Sequence, residues 1–73
     1  MTGLEAWAAV LWAMRRVGRH RTPYFENPVL AECVAVFGWR DLCSTDVDDA
    51  ATRDFFIRTY EERAAATAAK EGA

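Results

Sequence analysis

The sequence predicts an all-α fold, a small bundle of three to four helices: a long N-terminal helix, a short central helix with a one-turn helix after it, and a long C-terminal helix. Three observations predict it. Alanine is abundant while the 73 residues hold only four glycines and two prolines, a balance that favours helix over strand. Apolar residues recur at three- and four-residue intervals, the repeat of a helix with one buried side. Neither a long apolar–polar alternation nor an Asn-Gly or Asp-Gly pair marks a hairpin. A hydrophobic content of 52% is enough for a packed core and argues against disorder. A single domain over residues 1–73 is expected, and a chain this short buries only about 60% of its unfolded surface, so its stability margin is thin.

The first helix opens with Thr2-Gly3-Leu4-Glu5, the spacing of a capping box in which the Thr2 hydroxyl and the Glu5 carboxylate each accept from the other's backbone N–H. Leu4, Trp7, Val10, Leu11, Met14 and Val17 fall within about 140° of arc at helical spacing, the width of a core-facing side. Trp7 is expected to anchor the core, and Gly18 to stop the helix. Trp12 lies on nearly the opposite side, beside Glu5, Arg16 and Arg19. Two accounts suit it: cover by a tail or the last helix, or service as a partner-binding anchor, since Trp and Arg are enriched at interface hot spots. Arg16, one turn on, is placed to stack on its ring.

Arg19 to Glu26 read as a connector, because Pro23 forbids helix continuation and pushes Thr22 toward extended backbone. Asn27 as N-cap and Pro28 at the first position begin the second helix. Val29, Leu30, Cys33, Val34 and Phe37 form its buried side and Gly38 ends it. Trp39 and Leu42, three apart, suggest one helical turn plugging the end of the bundle. The last helix is expected to start near Thr45 or Asp46 and run to about Ala69, burying Phe55, Phe56, Ile57, Tyr60 and Ala64, with a frayed alanine-rich tail from about 68.

Catalytic equipment is missing from the sequence. There is no GxGxxG, Walker loop or HExxH, and the one histidine, His20, sits between arginines in the connector. No enzyme and no cofactor are expected. Cys33 and Cys43 form no CxxC pair and cannot complete a four-ligand zinc site with His20, so no metal is expected either. Cys33 falls in an apolar stripe, the place of a small core residue. The apolar run from Leu4 to Met14 is too short to cross a bilayer, and no signal peptide is visible; a cytoplasmic protein with reduced thiols and no membrane contact follows as the expectation.

Formal net charge is −2, unevenly spread. Residues 1–25 hold Arg15, Arg16, Arg19 and Arg21 against Glu5 alone, a balance of +3. Residues 41–62 hold five aspartates and two glutamates against Arg53 and Arg58, a balance of −5. The arginine cluster admits three uses: internal pairing or solvation, a protein partner, or weak nucleic-acid contact, the last opposed by an isoelectric point near 5.2. Asp46, Asp48 and Asp49 lack the EF-hand spacing. They suit the positive end of a helix dipole or, as an acidic face, imitation of a nucleic-acid backbone.

Read end to end, Trp7, Val10, Arg15-Arg16-Val17-Gly18, Phe25-Glu26-Asn27-Pro28, Phe37-Gly38-Trp39, Leu42-Cys43, Phe56 and Tyr60 make a pattern. It resembles a helical module of phage and prophage proteins, often the C-terminal part of helicase-loader-like replication proteins, with Asn27 where that pattern has aspartate. The resemblance implies a phage or mobile-element protein in the host cytoplasm. Met1 and the early capping box favour a natural start, and a free-standing chain of this size suits an anti-CRISPR-like inhibitor, held to a host complex by stoichiometric contact. Its partner would be a CRISPR effector. The alternative is a replication accessory module binding a replicative helicase or DNA; a homodimerisation module is a third expectation. Candidate partner-binding residues are Trp12, Arg15, Arg16, Arg19, Arg21, Asp46, Asp48 and Asp49.

Overall fold

The computed structural model describes residues 1–44 and 49–72 and is an all-α bundle of four helices: α1 (Gly3–Val17), α2 (Pro28–Phe37), α3 (Trp39–Ser44) and α4 (Ala50–Gly72). α4 packs against both α1 and α2, and α3 packs back on α2. The order of long, short, one-turn and long helices is the one expected.

The helix ends follow the sequence signals. The Glu5 N–H donates to Thr2 Oγ1 at 3.2 Å and the Thr2 N–H donates to Glu5 Oε1 at 2.9 Å, closing the capping box. That bonding holds the Glu5 carboxyl below its ordinary pKa, with the Thr2 backbone N–H as the main cause. Asn27 Oδ1 accepts from the Val29 and Leu30 N–H groups at 2.9 and 3.2 Å, ahead of Pro28. Gly18 and Gly38 end α1 and α2 with φ of +82° and +89°, a region open to glycine at little cost. The expected start of the last helix near Thr45 or Asp46 lies outside the described residues; the described helix begins at Ala50, capped by Asp49. It also continues to Gly72, three residues beyond the expected Ala69.

The core gathers Trp7 and Val10 from α1, Leu30, Cys33 and Val34 from α2, Trp39 and Leu42 from α3, and Phe56 and Tyr60 from α4. Phe56 is the hub, its ring 5.5 Å from Trp7 and 5.2 Å from Phe37. Trp39 closes one end, its indole N–H donating to the Gly18 carbonyl at 2.8 Å, so α3 is tied to the end of α1. Tyr60 ties the other end: its hydroxyl accepts from Asn27 Nδ2 at 3.2 Å and donates to the Met1 carbonyl at 3.5 Å.

Two expectations about the core need correction. Leu4 is 68% exposed, while Gly3, Ala6 and Ala13 are buried with Trp7 and Val10. The buried face of α1 is therefore turned toward its small residues, leaving Leu4 about 120° from its centre. The reason is close approach. A Cβ at Gly3 would lie 2.5 Å from Ile57 Cγ2 and 2.9 Å from Glu61 Cγ, so α4 reaches α1 where glycine leaves room. Phe55 is also mostly exposed, at 57%, resting its ring edge on Phe37 at 5.5 Å rather than entering the core.

Candidate partner-binding groove

Two of the three tryptophans are core residues, each 5% exposed; Trp12 is 62% exposed. It stands on the side of α1 away from the core, where the helical repeat puts it, and none of the described helices covers it. Arg16, one turn later, lays its guanidinium over the ring, with Cζ 4.7 Å from the centroid. The stacking expected from their spacing is thus present.

Trp12 and Arg16 form one wall of a groove of about 680 Å³. Ala9, Ala13 and Leu30 contribute apolar surface to it, and the connector from Arg21 to Asn27 forms the facing wall. Within that wall Tyr24 is 88% exposed. The groove thus brings two open aromatic side chains and two arginines, Arg16 and Arg21, to one place. Tyr24 was not among the residues the sequence singled out. The signal for it was Pro23, which makes a non-helical connector whose Tyr24 and Phe25 need not both be buried. Phe25 turns in, 6.4 Å from the Trp39 ring, and Tyr24 stays out.

The arginines do not act as one cluster. Arg15 and Arg19 border a separate hollow of about 330 Å³ with Leu11, Met14 and Cys43. Arg19 Nη2 donates to Ser44 Oγ at 3.1 Å, fastening the start of the connector to the end of α3. A residue expected to meet a partner therefore also has a structural bond. The reason is the helical repeat: Arg15 and Arg16, adjacent in sequence, point about 100° apart.

Of the acidic candidates, Asp46 and Asp48 lie outside the described residues. Asp49 is exposed, and its carboxylate caps α4: Oδ1 accepts from the Ala51 N–H at 3.0 Å and Oδ2 from Thr52 Oγ1 at 2.9 Å. Those bonds, Thr52's first, hold its carboxyl below the ordinary aspartate pKa. The ion pairs Arg63–Glu32 and Arg53–Asp54 involve none of the arginines of the N-terminal segment.

Cys33 is fully buried, and burial pushes its thiol pKa up, as suits a packing residue. Among the described residues no three His, Cys, Asp or Glu side chains gather in a metal-binding group, and no helix is long and apolar enough to cross a membrane. Comparison with family models, curated proteins and solved structures finds no match to this chain.

Proposed function

We propose that this protein is a stoichiometric binding protein, of phage or mobile-element origin, that occupies and inhibits a host nucleic-acid-handling complex in the manner of an anti-CRISPR protein. The observation that carries the binding role is Trp12, a large aromatic side chain left 62% exposed beside an open groove and already stacked with Arg16. Leaving a Trp in water forgoes on the order of 2 kcal/mol of burial free energy, a cost a partner would recover. The choice of a host complex rests on the resemblance to phage modules.

The replication-accessory reading needs a track of arginines along DNA. Arg16 stacked on Trp12 and Arg19 bonded to Ser44 suit protein contact better than such a track. In a self-associating module, Leu4 on α1, Val36 on α2 and Phe55 on α4 supply further exposed apolar side chains.

Affinity capture with tagged protein from a CRISPR-bearing bacterial lysate, read by mass spectrometry, tests the proposal. Recovery of CRISPR effector subunits, lost with Trp12→Ala, is the expected result. Recovery of the replicative helicase would promote the accessory reading, and recovery of the protein alone would leave a self-associating module.

A further inference from the structure

The groove beside Trp12 carries enough chemistry to specify its occupant. Its connector wall is a ridge, because Thr22, Pro23, Tyr24 and Phe25 also border a second hollow of about 410 Å³ on the side of Val34 and Trp39. The ridge is fastened at both ends. Arg19 is bonded to Ser44 at its start; Phe25 against Trp39 and the Asn27 cap hold its finish. Tyr24 stands exposed between these anchors.

Among the described residues, the main chain of Thr22 to Phe25 takes part in no backbone–backbone hydrogen bond. Main chain with no main-chain partner is a segment an extended peptide can pair with. Charge sharpens the choice. Arg16 and Arg21 line the groove against one acid, Glu26, so it is locally positive in a chain of net charge −2. The stack on Trp12 covers one ring face, where a nucleobase would otherwise lie, and holds the planar fork of Arg16 in place, a form suited to bidentate carboxylate contact.

We infer that the groove docks a non-helical acidic peptide segment of the partner protein, one with a carboxylate beside a bulky apolar side chain. Arg16 and Arg21 take the carboxylate. Trp12 and Tyr24 close over the apolar side chain, and the main chain of the ridge pairs with that of the peptide. The inference rests on the binding role proposed above and names the chemistry of what is bound.

Selection from a random peptide display library with the whole purified chain tests it, alongside a labelled single-stranded oligonucleotide as the rival ligand. Recovered peptides should be enriched in Asp or Glu next to Leu, Ile or Phe. Their affinity should fall about tenfold or more with R16Q/R21Q and similarly with Trp12→Ala, while the helical circular dichroism and the melting temperature stay unchanged. R16K should recover little, since an ammonium lacks the planar fork. Enrichment of basic peptides, an absence of enrichment, or oligonucleotide binding that disappears with the same variants would overturn the inference. The two proposals fail separately. A host complex captured from lysate equally well by wild type and R16Q/R21Q leaves the binding role standing and removes the groove. Acidic peptides bound through Arg16 by a chain that captures no host complex do the reverse.

Discussion

The two sides of α1 are built from different materials for different ends. Toward the core it presents Gly3, Ala6, Val10 and Ala13 around a single large residue, Trp7, and α4 comes close enough to touch the backbone at Gly3. Away from the core it presents Trp12 with Arg16 stacked on it, beside a groove that none of the described residues fills. Small residues bury well because they let a neighbour approach; a large aromatic residue left outside has no such neighbour. Buried contacts hold the fold together, so the exposed side is the one free to serve a partner. Substitutions on the two sides should therefore separate stability from binding.

The largest effect is expected at the hub of the packed side. Phe56 is completely buried between Trp7 and Phe37, and Phe56→Ala should cost about 3–5 kcal/mol. That loss approaches the whole stability of a small domain, and urea titration followed by circular dichroism should show a chain that is unfolded or close to it. A midpoint shifted by less than a quarter of the wild-type value would mean that the core does not depend on this ring.

Next comes the close approach itself. In Gly3→Val the Cβ would collide with Ile57 Cγ2, a branch atom close to its own backbone and unable to swing far aside. Overpacking of this kind costs about 1–3 kcal/mol, while an exposed change such as Leu4→Ala should stay within about 0.5 kcal/mol. Equal effects at Gly3 and Leu4 would return the buried face of α1 to the position expected from its large apolar residues.

These two positions also show what was legible in the sequence. The capping box at Thr2 and Glu5, the Asn27-Pro28 start and the Gly18 and Gly38 stops could all be read, because each depends on one local hydrogen bond or one backbone angle. The core side chains Trp7, Val10, Leu30, Cys33, Val34, Leu42, Phe56 and Tyr60 could be read from periodicity. The turn of α1 toward its small residues could not, since alanine and glycine suit either environment and only the path of α4 decides between them. Trp12 and Arg16 were legible as a pair because both lie on one helix. Tyr24 was not, because it reaches the same groove from a connector with no periodicity to reveal its direction; the helical repeat parts Arg15 from Arg16, but which groove Arg19 and Arg21 each join depended on where that connector runs.

A smaller effect on stability is expected at the start of α4. Asp49 caps the helix through the Ala51 N–H and the Thr52 hydroxyl, and Asp49→Ala should lower stability by less than either core substitution. Its carboxyl titrates below the ordinary value in the folded chain, so the stabilisation is complete above the unfolded aspartate pKa of about 4. It is lost as pH falls through the lower folded value, when the unfolded state binds the proton more readily. The difference in stability between wild type and Asp49→Ala should thus be constant near neutrality and shrink below about pH 4. A difference unchanged down to the acid limit would mean that the carboxylate's charge takes no part in the cap.

The smallest effect on folding should accompany the largest on binding. Trp12→Ala removes a side chain that is mostly in water and stacked with Arg16, so its cost should lie within about 0.5 kcal/mol. The stack itself is worth only about 0.5–1 kcal/mol at an exposed site, and Arg16 regains hydration when the ring is gone. Against Phe56→Ala, the same chemical truncation of an aromatic residue should therefore differ by several kilocalories per mole in unfolding free energy, with Trp12→Ala losing partner capture while the fold stays intact. If Trp12→Ala instead unfolds the chain, the exposed ring supports the fold in a way its surroundings do not show. The division of labour between the two sides of α1 would then fail along with the binding groove.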